Sequence, residues 1–275
     1  MLETHVGAIE THDALSGAEI SKWTSVLGGL QGDGVAIWTT SGDTTPNISA
    51  WNGSGFGVAT NTANVGAWRV IDGAEAPTRD EKIVMGVDAA GNISGQMWNG
   101  TAWAAFTGPD LFNNLATGTS ANHHGFDVAY ESQTGNAVMT WNNGTTGTAS
   151  VSYSVWNGTV WSAAQAITVP ISGFAQQLYL AANPLSNEMI LLVCDANSND
   201  YALVWNGSSW GNSIALSTLT TAGTNLDSSV AYDSQTGNAL VVYDNFSGGD
   251  SLNYRTWNGT AWSAEGAVSP PAGIS

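Results

Sequence analysis

Phe126-Asp127-Val128-Ala129-Tyr130-Glu131-Ser132-Gln133-Thr134-Gly135-Asn136-Ala137-Val138-Met139-Thr140-Trp141 reads as strand, polar turn, strand. It returns closely as Ser229-Val230-Ala231-Tyr232-Asp233-Ser234-Gln235-Thr236-Gly237-Asn238-Ala239-Leu240-Val241-Val242-Tyr243, and in diverged form from Leu180 to Leu191. The second strand of each copy is apolar at successive positions, as a strand covered on both faces must be. About 25 residues further on comes Trp-Asn-Gly, at Trp51-Asn52-Gly53, Trp98-Asn99-Gly100, Trp156-Asn157-Gly158, Trp205-Asn206-Gly207 and Trp257-Asn258-Gly259, with intervals of 47 to 58 residues. A second aromatic follows each time: Phe56 in the first copy, then Trp103, Trp161, Trp210 and Trp262. Asn-Gly between β-prone runs is a hairpin signal, read here as a type I′ turn with positive φ at both central residues. The flanking rings then meet across the two strands.

Joined, the two signatures make a unit of four strands in about 50 residues, the size of a β-propeller blade. In the third copy the strands are expected at about 126–131, 136–142, 149–156 and 160–167. The sequence therefore predicts an all-β chain, a β-propeller of about five four-stranded antiparallel blades. Residues 18–275 form a single propeller domain on this reading, and residues 1–17 a linker or a closing strand. The first blade has clear strands only from Val35 onward, so its innermost strand is assigned to the weakly patterned 18–30 segment.

Composition bounds the function. The chain of 275 residues carries 22 Asp and Glu against 5 Lys and Arg, a formal net charge of −17. Five dispersed cations cannot make a phosphate-binding surface, so nucleic acid is excluded as a partner. Cys194, the single cysteine, lies in the apolar run Met189 to Cys194 and reads as a buried, inert thiol with no disulfide partner. No apolar run is long enough to span a membrane as a helix, and the start Met1-Leu2-Glu3-Thr4-His5 lacks the basic and apolar regions of a signal peptide. That leaves a cytoplasmic protein or the mature or excised part of an exported one. Low Lys content and high Thr, Ser, Asn and Gly content favour the second, at the cell surface or outside the cell.

The repeats resemble those of bacterial secreted β-propeller proteins, in which Val-Ala-Tyr-Asp-Ser-Gln-Thr-Gly-Asn strands alternate with Trp-Asn-Gly-x-x-Trp hairpins. The resemblance covers roughly 35–270. Asn92-Ile93-Ser94-Gly95-Gln96-Met97-Trp98-Asn99-Gly100-Thr101-Ala102-Trp103 is also similar to the hairpins of fucose-binding propeller lectins. In those lectins an Arg, a Glu and a Trp hold the sugar between blades, whereas here no Arg recurs in such a register. The Ser-x-Asp-x-Gly-x-Thr-Trp turn and the arginine triad of sialidases are absent, and Arg69, Arg79 and Arg255 are scattered along the chain.

Candidate sites follow from the up-and-down order of a blade. The Ser-Gln-Thr-Gly-Asn and Trp-Asn-Gly turns share one face, where turn chemistry alone explains their regularity. The opposite face, with its variable loops, is the expected place for function. Trp68, His124, Asp127, Gln177 and Asp227 fall near the starts of innermost strands, at the expected mouth of the central channel, and could hold a small polar ligand there. The alternative is a plugged channel rimmed by surface loops. Adjacent His123 and His124 suit a metal or a proton transfer, though no ligand-spaced partner is readable nearby. Asp195-Ala196-Asn197-Ser198-Asn199-Asp200 resembles the start of a calcium loop, with Asp195, Asn197, Asn199 and Asp200 as oxygen ligands. An ordinary polar hairpin is the competing reading, because Asp200 stands where the turn needs Gly and Asn206 where Glu is expected. No cofactor other than calcium is implied.

Three function classes remain open. The first is a non-catalytic extracellular module recognising glycans or partner proteins. The others are a structural subunit or decoration of a cell-surface assembly, in which oligomers are possible, and a glycosidase- or lyase-type enzyme. Paired catalytic carboxylates cannot be assigned from sequence, because that mechanism depends on a through-space separation of roughly 5–10 Å.

Overall fold

The structure, a computed structural model, describes residues 20–27, 34–40, 43–88, 91–105, 124–142, 151–171, 173–218, 228–244 and 252–268. These residues form five four-stranded antiparallel sheets, each built from consecutive strands in chain order. The first comprises β1 (Ile20–Leu27), β2 (Gly34–Thr40), β3 (Asn47–Trp51) and β4 (Thr60–Asn61). The second comprises β5 (Trp68–Glu75), β6 (Lys82–Asp88), β7 (Ile93–Trp98) and β8 (Trp103–Ala105). The third comprises β9 (Phe126–Tyr130), β10 (Ala137–Asn142), β11 (Val151–Trp156) and β12 (Gln165–Ile167). The fourth comprises β13 (Ala175–Ala182), β14 (Met189–Asp195), β15 (Asn199–Trp205) and β16 (Trp210–Thr218). The fifth comprises β17 (Ser228–Tyr232), β18 (Ala239–Tyr243), β19 (Leu252–Trp257) and β20 (Gly266–Val268).

The first strand of each sheet is the inner one, for β1, β5, β9, β13 and β17 pack in series. The weakly patterned segment before Val35 does supply the inner strand of the first sheet, as β1. Bulges interrupt the starts of three inner strands, between Ile20 and Lys22, between Trp68 and Val70, and between Ala175 and Gln177. A bulge twists its strand and re-aims the side chains beside it, here where the strands enter the ring.

Successive sheets pack face to face through rows that alternate along each second strand. In β10, Ala137, Met139 and Trp141 join the core shared with the second sheet, while Val138 joins the core shared with the fourth. In β14, Met189, Leu191 and Val193 face backward and Ile190 and Leu192 forward. This two-sided burial explains the apolar runs, since alternation toward water is lost when both faces are covered. The fifth sheet departs from the pattern. Ala239, Val241 and Tyr243 pack backward, yet forward-facing Leu240 is 44% exposed and Leu252 51% exposed.

The Trp-Asn-Gly connections form hairpins, but not type I′ turns. Only the Gly has positive φ (Gly53 92°, Gly100 89°, Gly158 89°, Gly207 91°, Gly259 87°), whereas the Asn does not. A two-residue loop with Gly at its first central position is the type II′ solution. The Asn lies just before that loop, and its Oδ1 accepts the amides two and three residues on, as at Asn157 with Thr159 N (2.9 Å) and Val160 N (2.9 Å). The flanking rings then pair across the hairpin, with Trp156 and Trp161 at 5.6 Å and Trp205 and Trp210 at 5.5 Å.

Candidate functional site

The Trp that ends a third strand points its indole N–H toward a carboxylate at a first-to-second-strand turn. Trp205 at the end of β15 donates to Glu131 Oε1 of the preceding sheet at 2.7 Å. Trp156 at the end of β11 donates to Glu81 Oε1 of the preceding sheet at 3.0 Å. Trp98 bonds within its own sheet, to Asp80 Oδ1 at 3.0 Å. In the fifth sheet Trp257 is buried, and its Nε1 has no partner, while the nearby Glu188 accepts from Tyr232 at 3.1 Å. The Trp156, Trp205 and Tyr232 contacts join the second sheet to the third, the third to the fourth and the fourth to the fifth at the face that bears the regular turns.

One of these junctions carries more. Glu81 lies just before β6, where its backbone carbonyl closes the turn by accepting from Ala76 N at 2.9 Å. Its Oε1 accepts from Trp156 Nε1, from Tyr130 OH at 2.8 Å and from Arg79 Nη2 at 2.5 Å. The Arg79 guanidinium also lies 5.8 Å from the centre of the Tyr130 ring, within cation–π range. Burial first, and the Glu81 charge second, push the Tyr130 hydroxyl far above the ordinary tyrosine range, so it acts as a donor. The Arg79 side chain keeps 31% exposure, and its Nε is buried without a hydrogen-bond partner. Two glycines of positive φ frame it. A Cβ on Gly158 would sit 3.6 Å from Cζ of Arg79, and one on Gly135 would sit 2.0 Å from Thr78 Oγ1. An Arg, a Glu and a Trp thus meet between the second and third sheets, on the regular face and away from the variable loops. The sequence does hold a signal for them. Arg79-Asp80-Glu81-Lys82 is a run of four charges, with two of the chain's 5 basic residues, in a chain only 10% charged.

The inner strands hold a second polar group. His124 lies two residues before β9, and its Nε2 is 3.2 Å from Asp72 Oδ2 of β5. Asp127 of β9 accepts from Leu180 N of β13 at 2.5 Å and from Val128 N at 2.6 Å. Burial, reinforced by the Asp72 charge, holds the Asp127 carboxyl well above the usual carboxylate range. The Asp72 carboxyl lies below that range: burial pushes it up, but His124 together with the hydrogen bond from Gly73 N and its other neighbours brings it down. His124 and Asp127 are therefore brought together, through an aspartate the sequence reading did not single out.

Trp68 and Gln177 do not join them. Trp68 is 3% exposed, donates to Ser94 Oγ at 2.6 Å and covers Gly86, where a Cβ would come within 2.2 Å of its ring. It is thus a core ring between the first two sheets, not an open platform. Gln177 pairs with Cys194 across β13 and β14. Asp227, His123 and residues 245–250 lie outside the described residues.

The proposed calcium loop is a hairpin turn. Asp195 is fully buried, with Oδ1 accepting from Asn197 N (2.8 Å) and Asn199 N (2.9 Å) and Oδ2 from Asn199 Nδ2 (2.9 Å). A carboxylate directed onto amide donors is the reverse of one facing a cation. Ser198 takes a positive φ of 61° to close the turn, and Asn199 and Asp200 continue as the start of β15. Among the described residues no group of three or more His, Cys, Asp or Glu is arranged to hold a metal ion.

Similar solved structures are lectins of β-propeller fold. BP39L lectin from Burkholderia pseudomallei aligns with 12% identity and a TM-score of 0.58, over 91% of this chain and 70% of that one. The fungal lectin of Aleuria aurantia, described as a six-bladed β-propeller with a novel fucose recognition mode, aligns with 13% identity and a TM-score of 0.54, over 90% and 78%. SapL1 lectin in complex with α-methyl fucoside aligns with 17% identity and a TM-score of 0.51, over 92% and 84%. At such identities the likeness establishes the fold: the chain is a β-propeller. No protein-family model matches the sequence, and no curated protein matches it.

Proposed function

We propose that the protein is a non-catalytic glycan-binding propeller module acting outside the cell or at its surface, with its sugar notch between the second and third of five blades. The observation that carries this reading is the convergence of Arg79, Glu81 and Trp156 on a fold shared with fucose-binding lectins. The chemistry suits a sugar. A half-exposed guanidinium offers planar donors to vicinal hydroxyls, and the Trp156 and Trp161 pair offers an apolar ring face to the C–H side of a pyranose. The buried Glu81 holds both in register.

A glycosidase reading has less support. The buried carboxyls near the inner strands are taken up by internal partners, Asp72 by His124 Nε2 at 3.2 Å and Asp127 by Leu180 N at 2.5 Å and Val128 N at 2.6 Å. A glycan array probed with the wild-type chain and with Arg79→Ala tests the binding reading. Wild-type signal on fucosylated glycans, lost in the variant while its melting curve stays within a few degrees, is the expected result. A blank array for the folded wild type removes the reading and leaves a structural role in a surface assembly.

A further inference from the structure

We infer that the propeller is monovalent: a single guanidinium decides which junction between blades is open, so one chain holds one glycan end and does not bridge two. This rests on the glycan-binding reading above. Strand register makes the junctions comparable. The pairs Leu27↔Gly34, Glu75↔Lys82, Tyr130↔Ala137, Ala182↔Met189 and Tyr232↔Ala239 each bracket a connection of six residues between a first and a second strand. The fourth position of these connections is Gln31, Arg79, Thr134, Ser186 and Thr236, and Arg79 is the only Lys or Arg in any of the five.

Other junctions are occupied by the protein's own groups. Between the third and fourth sheets, Asn187 Oδ1 accepts from Gln133 N at 3.0 Å and from Thr134 N at 3.1 Å. Gln133 Nε2 donates to Leu185 O at 2.8 Å, and Ser132 Oγ to Asn183 O at 2.6 Å. Two neighbouring connections are thus tied together, and Trp205, 3% exposed, spends its N–H on Glu131 at 2.7 Å. Trp98 bonds Asp80 of its own sheet, and the cation beside it, Lys82, is buried and held by Asp80 at 2.8 Å.

The junction between the fourth and fifth sheets repeats the notch without its cation. Tyr232 OH donates to Glu188 at 3.1 Å as Tyr130 OH does to Glu81 at 2.8 Å. Trp257 stands opposite Ala239 as Trp156 stands opposite Ala137, and Gly237 repeats the left-handed Gly135. At the place of Arg79, Ser186 Oγ turns back to accept from Glu188 N at 3.2 Å. In the notch Arg79, Tyr130 and Trp156 all converge on Glu81 Oε1, whereas Trp257 Nε1 has no hydrogen-bond partner. A Cβ on Gly158 would meet Arg79 at 3.6 Å, but one on Gly259 would meet nothing within 4 Å. Trp257 is buried, where Trp156 keeps part of its ring exposed. A sugar there would lack both the planar donor pair for vicinal hydroxyls and an open ring face. With one site, the chain gains none of the avidity that linked sites give.

Native mass spectrometry of the whole chain with α-methyl fucoside counts bound sugars directly. The wild type should take up one sugar and stop, and Arg79→Ala should lose that adduct. Ser186→Arg, which brings a guanidinium beside Glu188 and Tyr232, should take up two. A saturated wild type carrying two or more sugars, or an Arg79→Ala chain that still carries one, overturns the single site while leaving glycan recognition intact. A count that stays at one in folded Ser186→Arg overturns the guanidinium as the deciding group. No adduct on the folded wild type removes the glycan-binding reading and this inference with it.

Discussion

Trp205 and Trp257 occupy the same place in successive blades and differ in one hydrogen bond. Trp205 Nε1 is satisfied by Glu131, whereas Trp257 Nε1 is buried without a partner. A buried group left unpaired costs about 1–3 kcal/mol, while removing a donor that has no partner returns that cost. Trp257→Phe should therefore be neutral or stabilising in urea unfolding, and Trp205→Phe should destabilise by about 1–3 kcal/mol by stranding a Glu131 oxygen. At this scale the sequence was least informative. Asp72 sits in a strand whose pattern gives it no mark, and only the fold brings it to Asp127, 55 positions away. Arg79 was visible as a residue but not as a partner of Trp156, because contacts between blades leave no local spacing to read.

Turns and strands were more legible, with one instructive error. The repeated Asn-Gly fixes a hairpin, but the choice between type I′ and type II′ depends on which residues are central, and the Asn side-chain bonds decide it. The Ser-Gln-Thr-Gly-Asn segment is a polar turn between strands, as its composition predicts, and its Gly takes positive φ in both close copies, Gly135 at 70° and Gly237 at 72°. Their surroundings differ. A Cβ at 135 would stand 2.0 Å from Thr78 Oγ1, whereas at 237 the nearest atom is Asn183 Nδ2 at 3.1 Å. Both Gly→Ala changes incur the left-handed backbone penalty of about 1–2 kcal/mol. Gly135→Ala should lower the melting temperature further than Gly237→Ala, and should also disturb the Arg79 notch it borders.

Across the whole molecule, the alternation of forward and backward rows runs through successive sheets until the fifth, whose forward row is exposed. Leu191→Ala, at a fully buried position between the third and fourth sheets, should cost about 2–5 kcal/mol. Leu240→Ala, on the exposed forward face, should cost less than about 1 kcal/mol. Chemical denaturation of both variants checks the contrast, and equal costs would mean that the fifth sheet is covered in solution. The repeat length and the apolar second strands made the five-sheet architecture readable in advance, since both are local. The residues expected at a channel mouth stand near strand starts in the sequence, but the core role of Trp68 against Gly86 depends on the neighbouring strand.

The most direct test of glycan recognition by this propeller is calorimetric titration of the wild-type chain with α-methyl fucoside, run in parallel with Arg79→Ala. Saturable heat in the wild type, with affinity at least about tenfold weaker in the variant, a loss of about 1.4 kcal/mol, is the predicted result. Wild-type binding that Arg79→Ala leaves unchanged would contradict the assignment of the notch, and no heat from the folded wild type would contradict recognition of fucose itself.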